Sequence, residues 1–347
     1  MDALARAVTR LDWFRRSPFA VGGRGGHKEW HHFCVLAPGL DLLVNFSFCD
    51  DVRPTAARGT ELARLTVLVR DATGTWDGDV IAFPPDAVRV VGGGIDVELG
   101  RNHLRFVDGA YDVEVALPGR ALTAKLRLEP RTAPAFAPNI PLPDGPPLHW
   151  VLMPRLHASG RIAWGKHVTE FDDGMAYHDH NWGHFLWGHR FSWIWGFALP
   201  DDPASPWSLA FVRLMDRART AVLAQGLFLW RGERQHRVFR DADVALTCDV
   251  RCLRGRPVLK VPRVMGLLAP DVLSDVPRRV EMTAEADGDV LAWRFDAADG
   301  VQVVLPSDTD MGVTIINEVA GRLRLEGFVG GERVTMDGRA VCEFLGA

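Results

Sequence analysis

The chain of 347 residues has only two tyrosines, Tyr111 and Tyr177, and only five cysteines. Those cysteines (Cys34, Cys49, Cys248, Cys252 and Cys342) are odd in number and never spaced Cys-x-x-Cys. A disulfide scaffold or a cysteine zinc site is therefore not expected, and buried free thiols are. No block of like charge occurs; the net charge is -4 and the pI near 6.3. Nucleic acid, which needs a concentrated basic surface, is not an expected partner. Long apolar runs are missing too: Trp193–Pro200 and Ala221–Trp230 are far too short to span a bilayer. Near the N-terminus Arg6, Arg10, Asp12, Arg15 and Arg16 interrupt any signal-peptide core, so a cytoplasmic protein is expected.

What is present suits a globular chain with a real core, since 47% of residues are hydrophobic and 24% charged. Residues 2–16 read as an amphipathic helix, with Leu4, Val8 and Leu11 on one face and arginines opposite. A lid or plug against the body is the plainer role for it, and peripheral contact with a membrane surface the rarer one. Gly22, Gly23, Gly25 and Gly26 around Arg24 lack the Gly-Lys-Ser/Thr of a phosphate cradle and read as a flexible loop.

Beyond that loop the pattern is β. Tyr111, Val113, Val115 and Leu117 alternate with polar residues or alanine. After Pro118-Gly119, Leu122, Ala124, Leu126 and Leu128 do the same, which predicts an antiparallel hairpin with one buried face. Further short strands are expected at 62–70, 86–91, 95–99, 207–215, 222–230, 278–284, 290–295, 301–305 and 321–328. Seven prolines make 130–147 a stiff, extended connection. Many short strands with frequent turns indicate barrels or sandwiches.

Seven of the twelve Trp and seven of the twelve His fall between His149 and Trp207. The densest stretch is Tyr177-His178-Asp179-His180-Asn181-Trp182-Gly183-His184. If extended, it points Tyr177, Asp179 and Asn181 one way and His178, His180 and Trp182 the other. Phe191, Trp193, Trp195 and Phe197 would share one face of a later strand. An aromatic wall can stabilise a carbocation through its π faces. A carboxyl in such surroundings can act as a general acid, with a His or Tyr to orient it. The competing reading is structural: tryptophan ladders build cores, and polar clusters satisfy buried backbone groups. His178-x-His180 followed by His184 also has the spacing of a strand-borne metal site. No acidic ligand or later His stands in a companion motif, so no metal or other cofactor is expected.

The stretch Tyr-His-Asp-His-Asn-Trp-Gly (177–183) resembles the Tyr-x-Asp-His-Asn-x-Gly signature of the carotenoid 1,2-hydratase (hydroxyneurosporene synthase) and AttH-like family. Glu29-Trp30-His31-His32-Phe33 is similar to that family's early Glu-Trp-Trp-Tyr segment, with histidines in place of its second aromatic pair. Gly338-Arg339-Ala340-Val341-Cys342-Glu343-Phe344-Leu345-Gly346 resembles its closing Gly-x-Gly-Tyr-x-Glu-x-x-Gly strand, without the Tyr. The resemblance implies a mostly β fold of two lipocalin-like antiparallel barrel halves, 1–165 and 166–347, enclosing a lipophilic substrate without cofactor.

It further implies acid–base work by Tyr177 and Asp179, joined by His149. The expected catalytic set is Asp179, Tyr177 and His149, with His178 or His180 activating water. The expected substrate contacts are Trp150, Asn181, Trp182, Phe191, Trp193, Trp195 and Phe197. The expected reaction is protonation of a C=C bond in an isoprenoid or polyketide, leading to hydration or cyclisation. A cofactor-free pericyclase and a non-catalytic carrier are the alternatives.

Overall fold

The computed structural model describes residues 3–15, 26–52, 61–142, 146–187, 191–249, 252–253, 258–268, 276–308 and 311–346. The glycines at 22, 23 and 25, and Arg16 at the end of the expected helix, lie outside them. The chain divides into two compact units, Met1–Leu186 and Trp187–Ala347. The division falls beyond the expected 165/166 boundary, because the strand carrying Tyr177–His184 pairs on both edges with strands of the first unit.

In the first unit β1 (His27–Ala37), β2 (Leu40–Asp50), β3 (Glu61–Asp71) and β4 (Trp76–Phe83) form one antiparallel meander. β5 (Val88–Val90), β6 (Asp96–Leu99), β7 (Asn102–Val107), β8 (Ala110–Leu117) and β9 (Leu122–Pro130) form another. β10 (Ala135–Ile140) covers part of the next strand, β11 (Leu148–Trp164). A long hairpin of β11 and β12 (His167–His184) joins the meanders, β12 pairing β1 and β11 pairing β9. The result is a nearly closed, barrel-like sheet of twelve strands.

The expected hairpin is β8–β9. Tyr111, Val113, Val115, Leu117, Leu122, Ala124, Leu126 and Leu128 all enter the barrel core, as period-two alternation requires. The expected 2–16 helix is shorter, α1 (Ala3–Leu11). Its apolar face buries Ala5 and Val8, and Arg15 turns back so that Nη1 and Nη2 donate to the Trp13 and Leu11 carbonyls. Asp12–Arg15 run on without helix and carry Phe14 into the core.

In the second unit β13 (Phe191–Pro200), β14 (Trp207–Asp216), β15 (Val222–Arg231) and β16 (Arg234–Arg240) form a meander. β17 (Val244–Cys248), β19 (Arg279–Ala286), β20 (Asp289–Pro306), β21 (Val313–Val329) and β22 (Glu332–Gly346) form the rest, and β22 closes onto β13. β18 (Leu259–Val261) lies parallel to β20 and is followed by the short helix α2 (Arg263–Leu268). The strands expected at 290–295 and 301–305 are one strand, β20, because a register shift at Ala297/Asp299 bends it without ending its pairing to β21.

The β11–β12 hairpin depends on a backbone irregularity of its own. Gly160, at a register shift, has φ +143, and a Cβ there would lie 2.2 Å from the Lys125 carbonyl oxygen. Gly160→Ala is expected to destabilise the protein by about 2–4 kcal/mol, read as a lowered urea midpoint. An unchanged midpoint would show that β9 can shift away at little cost.

Candidate active site

β12 is the organising strand. On the face turned away from the barrel core, Asp179 is the centre. Its Oδ2 accepts hydrogen bonds from Tyr177 Oη at 2.9 Å and Trp150 Nε1 at 3.1 Å, and its Oδ1 accepts one from Asn181 Nδ2 at 3.1 Å. Trp150, Tyr177, Asp179 and Asn181 are all buried. The four were expected at the site, and the pairing of Trp150 with Asn181 explains why they meet. All three donors are neutral, and together they orient the carboxyl.

His32 stands directly opposite Asp179 on β1, with Asn45 behind it on β2. Directly opposed residues of an antiparallel pair have Cβ atoms roughly 5 Å apart on one face. Asn45 Nδ2 lies 3.3 Å from His32 Nδ1, and His32 Nε2 lies 3.1 Å from Cys34 Sγ. Burial, with the charge of His178, pushes His32 down to about 3, so it is a neutral imidazole at ordinary pH. The sequence showed His32 only as a departure from an aromatic motif; its strand register was the missing signal.

His178 and His180 point to the other face, into the barrel, and His149 lies on that same face at its half-buried end, stacked on Trp182 with ring centroids 5.2 Å apart. None of the three shares the face of Asp179. They adjoin a cluster that the sequence did not announce, centred on Asp12. Asp12 Oδ2 accepts hydrogen bonds from Tyr111 Oη at 2.5 Å and His178 Nε2 at 3.0 Å. Asp12 Oδ1 faces His180 Nδ1 at 3.1 Å, and the other His180 nitrogen faces Glu29 Oε1 at 2.8 Å. Glu29 also accepts from the Arg15 backbone N–H at 2.8 Å and lies 3.4 Å from His27 Nε2.

Burial alone would raise Asp12, but the charges of His178 and His31 and the hydrogen bonds from His178 and His180 outweigh it and hold the carboxyl well below its ordinary range. Burial likewise opposes charge on His180, yet hydrogen bonds to Asp12 and Glu29 raise it. The phenol of Tyr111 is pushed far up by burial and by the Asp12 charge, and stays a donor. His31 is fully buried here and is driven well down by desolvation and by the His180 charge. Asp12, His31 and His180 each present one ligand atom within 4.8 Å of the others. His184, the third ligand that spacing suggested, instead stacks edge-on with His27 at 5.2 Å.

The second unit carries the aromatic ladder. Phe191, Trp193, Trp195 and Phe197 share one face of β13, while Ile194 and Ala198 fill the core behind. Trp193 Nε1 donates to Glu343 Oε1, and Glu343 lies directly opposite Glu318 across β21–β22. Desolvation raises the Glu343 carboxyl, and hydrogen bonds with Glu318 and from Trp193 pull it partway back. Two carboxyl groups joined by a hydrogen bond need one proton between them. Each unit thus holds a carboxyl bonded by an indole N–H, Asp179 by Trp150 and Glu343 by Trp193. A groove of about 890 Å³ lies elsewhere on the first unit, lined by Arg101, Glu114, Lys125, Arg161 and Glu170. Val115, Ala124 and Phe171 also line it, and Glu170 is nine residues from Asp179 along β12, about 30 Å of extended chain.

No family profile matches the sequence, and no curated protein matches it. Solved structures do match the fold. A candidate AttH from Nitrosomonas europaea has TM-score 0.62 at 18% identity, covering 97% of this chain and 98% of its own. CghA, solved with Sch210972, has TM-score 0.62 at 14% identity, covering 92% of this chain and 88% of its own. Kievitone hydratase from Nectria haematococca has TM-score 0.59 at 11% identity, covering 93% of this chain and 89% of its own. The lipocalin-like, mostly β fold with a short N-terminal helix is therefore the fold observed.

The raised Glu343 carboxyl sets a pH dependence. Its folded value lies above the unfolded 4.5, so its contribution to stability is complete below pH 4.5 and is lost as pH rises toward the folded value. The slope is at most about 1.4 kcal/mol per pH unit. Glu343→Gln keeps an acceptor for Trp193 and should flatten the change in urea midpoint across that window. An undiminished slope would assign it to other groups.

Proposed function

We propose that this protein is an acid–base enzyme that protonates a C=C bond of a lipophilic isoprenoid or polyketide, using its own side chains, with hydration or cyclisation following. The observation that carries this reading is the buried Asp179 carboxyl, fixed by the three neutral donors Tyr177, Trp150 and Asn181. The fold likeness to kievitone hydratase supports it. A carboxyl held in one direction by hydrogen-bond donors can give a proton to carbon and regain it.

Asp179 supplies the proton, and the π electrons of the alkene form the new C–H bond. The cation left on the neighbouring carbon meets the Trp150 indole, whose π face stabilises positive charge. Water, or a nucleophile within the substrate, closes the step and releases one proton. His32, neutral and directly across from Asp179, is placed to take that proton or to return it to the carboxylate. The water-activating role expected of His178 or His180 passes to His32, since both point into the barrel.

A second reading, in which the protein folds its substrate for a pericyclic reaction, is favoured by the likeness to CghA, solved with Sch210972. In that reading the same donors would bond a substrate carbonyl.

Reaction in heavy water separates the two. Acid catalysis places one deuterium on a product carbon, with labelled oxygen as well if water captures the cation; a pericyclic reaction places neither. Asp179→Asn should keep the fold and lose roughly a hundredfold to ten-thousandfold in turnover. Glu343→Gln, tested alongside, should keep most turnover. The reverse result would move the acid to the second unit, and binding without any turnover of a lipophilic panel would make the protein a carrier.

A further inference from the structure

We propose that the interior of the first unit is a divalent transition-metal site, with His31, His180 and Asp12 as ligands and zinc as the expected ion. The residue that points to it is His31. It is fully buried, and neither ring nitrogen has a hydrogen-bond partner. Its ring stacks on His180 at 3.8 Å and lies tilted against Phe14 at 4.0 Å, with His178 further off at 5.5 Å. A phenylalanine would fill that space without desolvating two polar nitrogens, so packing does not account for an imidazole here.

One ligand atom from each of His31, His180 and Asp12 lies within 4.8 Å of the others, close enough for a small turn of the stacked rings to converge them on one ion. Ligands about 2.0–2.2 Å from zinc stand roughly 3.3 Å apart in a tetrahedron. His180 Nδ1 is 3.1 Å from Asp12 Oδ1, and His31 Nδ1 is 3.7 Å from Asp12 Oδ2. Two imidazoles and one carboxylate form a donor set suited to zinc or ferrous iron.

The surroundings supply what ligands of a metal need behind them. A ligating histidine commonly donates its other N–H to a carboxylate, and ligating carboxylates are themselves hydrogen-bonded. His180 presents Nε2 to Glu29 Oε1 at 2.8 Å. Asp12 Oδ2 accepts from Tyr111 and faces His178 Nε2, which is fixed by its other nitrogen against the His32 carbonyl at 2.9 Å. The site would tie the end of α1 to β1 and β12. It lies on the face of β12 opposite Asp179 and does not depend on the reading of Asp179.

The test uses the full chain, with any affinity tag removed. Metal analysis of the purified protein should find about one zinc or iron per chain. After stripping with a chelator, titration with Co(II) should give the visible bands of a low-coordinate site, saturating at one equivalent. His31→Phe keeps the stacking and removes a ligand. It should retain the β-type circular dichroism, lose at least about tenfold in Co(II) affinity, and show no difference in melting temperature with and without zinc. Wild-type chain that takes up neither Co(II) nor zinc after stripping overturns the proposal, whatever the variant does. So does a His31→Phe chain that folds and binds Co(II) as tightly as wild type.

Discussion

The pairing of β12 between β1 and β11 governs both chemical clusters of the first unit. A strand buried on both edges has no freedom of register, since a slip of one residue would exchange its two faces. Here such a slip would turn Asp179 into the barrel and bring His178 and His180 out beside Trp150. Twenty-three cross-strand pairs, ten with β1 and thirteen with β11, therefore do more than hold a sheet together. They decide which polar groups face one another across the sheet plane.

The two faces solve different electrostatic problems. Inside the barrel, charge is balanced by charge: Asp12 and Glu29 face His180 from either side, and Arg15 lies over Trp182 at 3.5 Å. Buried ions of this kind survive only when each is compensated, and losing one partner strands the others. On the opposite face the Asp179 carboxyl is met by a phenol, an indole and an amide. Dipoles fix the direction of that carboxyl.

The sequence made the alternation legible because it depends only on neighbours along one strand. Tyr177, Asp179 and Asn181 were separable from His178, His180 and Trp182 before any fold was known. Trp150 joined them because its strand neighbours the signature strand. His149 is expected as a partner of Asp179, but one residue of register decides its face, and the pairing of β11 to β12 puts it opposite Trp182. Asp12 and Tyr111 were invisible as partners: they lie 99 residues apart, on a helix end and a strand. His31 and His32 stood out only as substitutions, and only the pairing with β12 gives them opposite roles. The expected boundary at 165/166 falls at the turn of the β11–β12 hairpin, and β12 belongs with the first unit because it returns to pair with β1.

The placement of Asp12 also bears on the order in which the barrel can form. Its bonds to His178 and His180 span 166 and 168 residues. Contacts between such distant positions close late, because a long loop must be ordered before they contribute anything. A ribosome will have made the α1 segment and the first eleven strands before His178 and His180 exist. Until then the carboxylate has no reason to leave water, and the interior it will occupy stays open. The last strand of the barrel to be synthesised is thus the one that seals the first segment in place, so that the unit's two ends are fastened in a single late event.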